Sequence, residues 1–129
     1  MMKRTFTPAV LALLLGACTT VQAPQYSLAG GETGVFTSRN AGTPIALERI
    51  KGMSEQDLVS TFGAPVLDRK DEPARVLRYQ SDACTLFVSM YRTSTVWRAQ
   101  FADAYDTHLR PLPVDQCAGS VSAQKKRAA

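Results

Sequence analysis

The sequence predicts an α+β domain in which two short N-terminal helices pack on a three- to four-stranded antiparallel meander that is clipped by one disulfide. Two observations carry that expectation. Apolar residues recur at helical spacing as far as Phe62 and switch to alternation from Arg75 onward. Of the three cysteines, Cys18 stands apart near the N-terminus, which leaves Cys84 and Cys117 as an even pair.

Residues 1–17 read as a signal peptide. Lys3 and Arg4 precede an apolar run that contains Pro8 and ends at Ala17, well short of the roughly 20 apolar residues that span a bilayer. Leu15, Gly16 and Ala17 lead directly into Cys18, an order that resembles a bacterial lipobox, where lipid joins the cysteine sulfur and the bond before it is cut. Cys18 is the expected lipidation site. The competing reading is a plain secretory signal whose cysteine is incidental. Each buried CH₂ contributes about 0.8 kcal/mol and stable anchoring takes at least two chains, so a triacylated Cys18 would hold the protein on a membrane unaided. Thr19 follows the cysteine, where Asp retains lipoproteins on the inner membrane in enterobacteria-like systems. The expected location is therefore the outer membrane, facing the periplasm.

Residues 18–43 make up the lipidated cysteine and a flexible tether, rich in Thr, Ala, Gly, Ser and Gln and without period. As a coil, about 25 such residues reach roughly 25–30 Å. In a second reading, Tyr26, Leu28, Val35 and Phe36 mark a segment that adds to a sheet edge or docks on a partner.

The α+β domain is expected over residues 44–120. Ile45, Leu47 and Ile50 suggest one or two helical turns before Gly52. A better-specified helix runs from Glu55 to Phe62: Ser54 is a favoured N-cap, and Asp57 completes a shortened capping box. Met53 and Leu58 are spaced for a hydrophobic staple, and Gly63 and Pro65 end the helix. Strands follow over residues 75–80, 84–91 and 95–101, with residues 66–69 as an edge strand. Cys84, Leu86, Val88 and Met90 face one way in the second of these, and Thr85, Phe87, Ser89 and Tyr91 the other. Apolar members on both faces make that strand central. In the third, Trp97, Ala99 and Phe101 share a face. Past Tyr105 the period is lost, and Pro111, Pro113 and Gly119 suggest an irregular segment tied back by the Cys84 to Cys117 bridge. The bridge suits an exported domain of about 75 residues, whose core alone supplies little margin.

Charge narrows the partners. The chain carries a formal net charge of +4, of which Lys3 and Arg4 belong to the signal. Residues 44–120 hold nine Lys or Arg against ten Asp or Glu. The remaining basic cluster is Lys125, Lys126 and Arg127, in residues 121–129, expected as a disordered tail that is solvated or touches anionic lipid. Nucleic acid is therefore not an expected partner.

Lys51-Gly52-Met53-Ser54-Glu55-Gln56-Asp57-Leu58-Val59, followed by Phe62-Gly63-Ala64-Pro65, resembles the Gly-Met-Thr/Ser and Leu-Gly-x-Pro signature of the SmpA/OmlA family. That family includes the small lipoprotein of the outer-membrane β-barrel assembly machinery. The resemblance implies a helix-helix-sheet fold, shared with β-lactamase-inhibitor-like proteins, and an accessory role in the envelope. The strands around Leu77 and from Cys84 to Tyr91 look more like short lipoproteins of alphaproteobacteria, which often carry Trp where this chain has Leu77. The cysteine pair is not part of the assembly-machinery member's pattern.

The sequence advertises no catalytic constellation, metal site or cofactor motif. His108 is the single histidine and reads as structural or surface. Asp68, Asp71 and Glu72 read as solvated turn residues. Cys84 and Cys117 lack the Cys-x-x-Cys spacing of a redox pair. The aromatics Phe87, Tyr91 and Trp97 are the candidates for partner binding. Two functions are expected. One is a non-enzymatic, membrane-anchored scaffold or accessory subunit with a protein partner in the envelope. The other is a binding module that inhibits a periplasmic hydrolase such as lysozyme or a β-lactamase.

Overall fold

The computed structural model describes residues 34–129. The expected signal peptide, the expected lipidation site at Cys18 and most of the expected tether, including Tyr26 and Leu28, lie outside the described residues. In chain order the elements are α1 (Leu47–Ile50), α2 (Glu55–Phe62), β1 (Leu67–Asp71), β2 (Ala74–Gln80), β3 (Thr85–Thr93), β4 (Val96–Tyr105) and α3 (Val114–Ala128). The strands form one antiparallel sheet in the order β1-β2-β3-β4, so β3 is internal, as its two-sided apolar pattern predicts. Among the described residues no helix is long and apolar enough to cross a membrane.

Helix α2 forms where its caps put it. The Ser54 hydroxyl accepts from the Asp57 backbone N–H at 3.2 Å, and the Asp57 carboxylate accepts from the Ser54 N–H at 2.9 Å. The Ser54 N–H and hydroxyl hold the Asp57 carboxyl below its ordinary range. Gly63 ends the helix at φ +86°, a conformation that favours glycine. At the other end of the motif, Gly52 at φ +83° donates its N–H to the Ala99 carbonyl at 2.8 Å, and the Ala99 N–H donates to the Met53 carbonyl at 3.0 Å. The Gly-Met-Ser segment thus fastens the start of α2 to the edge of β4. These residues shape and attach a helix.

The core lies between the helices and one sheet face. Ile50, Leu58, Phe62, Cys117, Ala118 and Val121 meet Leu77, Tyr79, Leu86, Val88, Met90, Ala99, Ala102 and Ala104. Three alanines on β4 let the helices approach closely. The Cys84 and Cys117 sulfurs lie 2.09 Å apart, at disulfide distance, and join the start of β3 to α3.

Three boundaries differ from expectation. Residues past Tyr105 are not irregular to the end: α3 runs through Ala128, so all but the last residue of 121–129, expected as a disordered tail, form the last turns of a helix. Val114, Cys117, Ala118 and Val121 fall at i, i+3, i+4 and i+7, and the last three are buried. Asp115 in its first turn and Lys125, Lys126 and Arg127 in its last complement the helix dipole. Lys125 also donates to the Ser60 carbonyl at the C-terminal end of α2, which has no basic residue in its own last turn.

Secondly, the end of the expected tether, residues 36–43, is part of the folded domain. Phe36 packs against the core, the Ser120 hydroxyl donates to the Asn40 carbonyl, and Gly42 lies against Gly119. This strap shields the back of α3. Thirdly, β4 changes phase. Ser89 pairs with Phe101 but Met90 pairs with Ala99, so Gln100 is an extra residue in a bulge. Phe101 is thereby turned away from Trp97 and Ala99, with which alternation alone would group it.

Candidate functional site

The helices cover one face of the sheet, and the register defines what occupies the other. Residues paired across strands share a face, giving cross-strand rows Leu67-Arg78-Phe87-Asp103, Arg69-Val76-Ser89-Phe101 and Asp71-Ala74-Tyr91-Arg98. Gln80-Thr85-Tyr105 makes a fourth row. The neighbouring positions Leu77, Tyr79, Leu86, Val88, Met90, Ala102 and Ala104 are all buried beneath the helices. The open face is therefore a patch of aromatic and aliphatic side chains within a polar frame.

Its apolar content is considerable for a small domain. Phe101 is 58% exposed, Leu67 42% and Tyr91 38%, while Val76, Phe87 and Tyr105 are half-buried among them. Two edge-to-face pairs order the patch: Phe87 with Tyr105, centroids 6.0 Å apart, and Tyr91 with Phe101, 6.1 Å apart. Such pairs hold the rings as a fixed relief. Arg69 and Asp71 pair with each other at the β1 edge. Arg78 lies inside the patch, between Leu67 and Phe87, and its Nε is shielded from solvent with no hydrogen-bond partner among the described residues.

Of the three aromatics expected to bind a partner, the structure brings Phe87 and Tyr91 together on this face and places Trp97 on the opposite one. Trp97 pairs with Arg92 across the hairpin and is partly buried against the core. The Arg92 guanidinium lies 5.1 Å and the Lys70 ammonium 5.7 Å from its ring centroid. Two residues that the sequence reading left out, Phe101 and Tyr105, complete the patch. Tyr105 continues the even alternation of Thr85 and Phe87 across the ladder, whereas Phe101 depends on a bulge that alternation does not reveal.

The other charged groups organise the fold. Asp68 is not a free turn residue: with Glu55 it grips Arg75, whose Nη2 donates to Asp68 at 2.5 Å and Nη1 to Glu55 at 2.8 Å. The Arg75 hydrogen bonds hold both carboxyls below their ordinary values, and the two carboxylates raise Arg75 in turn. This clamp joins the first turn of α2 to β1 and β2. Asp106, nearly buried, accepts from the Arg110 and His108 backbone N–H groups and from Arg110 Nε, which lowers its carboxyl. His108 itself is exposed on that turn. Among the described residues no group of three or more His, Cys, Asp or Glu is placed to hold a metal ion.

Comparisons with protein-family models, with curated proteins and with solved structures find no match.

Proposed function

We propose that this chain is a non-enzymatic lipoprotein of the bacterial outer membrane, anchored through Cys18 and facing the periplasm. In this reading it acts as a scaffold or accessory subunit in envelope or β-barrel assembly. The observation that carries the proposal is the open sheet face, on which Phe87, Tyr91, Phe101 and Tyr105 form an ordered, accessible patch. Exposed apolar patches of this kind mark interaction sites. The lipobox-like residues before Cys18 support the anchor. The likeness of residues 51–65 to the SmpA/OmlA signature supports the envelope role.

The test is a crosslinking pull-down of the full-length protein from its own envelope, with Cys18→Ala as the unanchored control. Recovery of barrel-assembly subunits that depends on Cys18 is the expected result. Deletion of the protein should also change outer-membrane protein levels or detergent sensitivity. Recovery of one hydrolase, with or without the anchor, would replace the scaffold reading by that of an inhibitor.

A further inference from the structure

We infer that the open sheet face pairs with a second copy of the same chain, sheet on sheet, about a two-fold axis running along β3. The inference rests on the reading of this face as a docking surface and names its occupant.

The strand register makes this face complementary to itself. Strands lie about 4.8 Å apart and packed sheets about 10 Å apart. A two-fold axis along β3, midway between two such sheets, lays β2 of one copy over β4 of the other, an isologous contact. Each cross-strand row then meets its own reverse. In the central row, Arg78 and Asp103 flank Phe87 on opposite sides. Reversal sets Arg78 against Asp103 of the second copy, and Asp103 against its Arg78, with the two Phe87 rings between. In the next row Val76 and Phe101 flank Ser89. Reversal brings the 58% exposed Phe101 over the smaller Val76 of the second copy, beside the space above Ser89. In the row beyond Phe87, Tyr105 comes to lie over Gln80. Opposite charges and unequal sizes are thus matched by one operation.

Arg78 supplies an independent reason. It sits in the patch with Nε shielded and unpartnered among the described residues, whereas Arg69, Arg75, Arg92 and Arg110 all hold carboxylates of their own chain. Asp103 is exposed and in no ion pair among the described residues. One strand, β3, separates the pair within one copy, so the gap is two inter-strand spacings, roughly 10 Å. Apposition of two copies closes that gap.

Two differently tagged full-length copies expressed together in the native envelope test the inference by co-purification in mild detergent. Wild-type copies should co-purify. Arg78→Asp in both copies, or Asp103→Arg in both, creates two like-charge contacts per pair and should reduce recovery roughly tenfold or more. An Arg78→Asp copy with an Asp103→Arg copy restores both contacts and should recover near the wild-type level, as should the Arg78→Asp/Asp103→Arg double variant with itself. Misfolded variants cannot rescue one another in this way. Thermal unfolding of each single variant near the wild-type midpoint confirms that the folds are intact. Wild-type copies that do not co-purify, or mixed variants recovered no better than each alone, overturn the inference. If Cys18-dependent capture of envelope subunits persists in that case, the pairing fails while the docking reading stands. Loss of both removes both.

Discussion

Gly119 on α3 and Thr43 in the strap meet backbone to backbone: a Cβ on Gly119 would lie 2.5 Å from the Thr43 carbonyl oxygen and 2.8 Å from its carbonyl carbon. Neither neighbour is the end of a flexible side chain, so something must shift. Alanine ordinarily improves a helix interior over glycine by about 1 kcal/mol. Here overpacking, typically about 1–3 kcal/mol, opposes that gain. Gly119→Ala should therefore lower the stability of the domain by up to about 2 kcal/mol, read as a fall in thermal midpoint by circular dichroism. An unchanged or higher midpoint would show that the strap is not seated on α3.

The clamp at Arg75 predicts an asymmetry. Arg75 is 7% exposed, whereas the Glu55 and Asp68 side chains are 53% and 42% exposed. Arg75→Met returns two half-solvated carboxylates to water and should cost only about 1–2 kcal/mol. Glu55→Gln with Asp68→Asn strands a buried guanidinium and should cost about 3–5 kcal/mol. Urea unfolding of both variants decides the order. The pH dependence has a definite sign. Both carboxyls are lowered in the folded chain from ordinary values of 4.5 and 3.8. The unfolded chain therefore binds protons first as pH falls. Their contribution is complete above about pH 5 and is lost as the pH drops through the folded values. Arg75→Met should flatten that acid limb.

Cys84 and Cys117 close a loop with a sequence separation of 33. In the chain-entropy model such a loop contributes about 3–4 kcal/mol, by restricting the unfolded chain. Both residues are buried, so reduction requires opening. Reduced protein, or a Cys84→Ala/Cys117→Ala variant, should unfold at a correspondingly lower urea concentration. A midpoint that reductant does not move would mean that the bridge is not formed.

The sequence made local structure legible where one period or one cap dominates. Helix α2 is bounded by Ser54, Asp57 and Gly63, whose side-chain chemistry and conformational freedom act within a few residues, and its limits follow without tertiary knowledge. The buried face of β3 follows from alternation alone. Helix α3 escaped because Pro111, Pro113 and Gly119 mask the short apolar period from Val114 to Val121, and because Gly119, Ser120 and Ser122, which hydropathy places outside, are buried with it. Half of the candidate site was legible for a related reason. Phe87 and Tyr91 lie on a regular strand, while Phe101 and Trp97 part company at a bulge whose extra residue, Gln100, has no signature of its own.

Leu109 and Ser94 hold φ values of +60° and +59° in tight connections. The left-handed region costs a non-glycine residue about 1–2 kcal/mol. Glycine avoids that cost but gives back about 0.4–1 kcal/mol through the freer unfolded chain. Leu109 is 79% exposed, so its side chain buries little that would be lost. Leu109→Gly and Ser94→Gly should each stabilise the domain by about 0.5–1 kcal/mol, which corresponds to a rise in thermal midpoint of roughly 3–6 °C. A fall in midpoint would show that the side chains contribute more than their backbone costs.

Tyr79 gives the domain an alkaline limit. Its ring packs against Phe62 with centroids 5.3 Å apart, and its hydroxyl is buried with no partner among the described residues. Burial pushes the phenol up to about 12 from an ordinary value of 10, with the nearby Glu55 carboxylate adding to the effect. The group is raised in the folded state, so above pH 10 the unfolded chain loses its proton first and stability falls. The fall continues until the folded phenol titrates near 12 and amounts to roughly 2–3 kcal/mol. Ultraviolet titration should show a late-ionising phenol that is absent in Tyr79→Phe. Because the hydroxyl is desolvated without a hydrogen bond, that variant should be neutral or more stable at pH 7 and should lose the decline between pH 10 and 12. A Tyr79→Phe protein destabilised by more than about 1 kcal/mol at pH 7 would mean that the hydroxyl has a partner in solution.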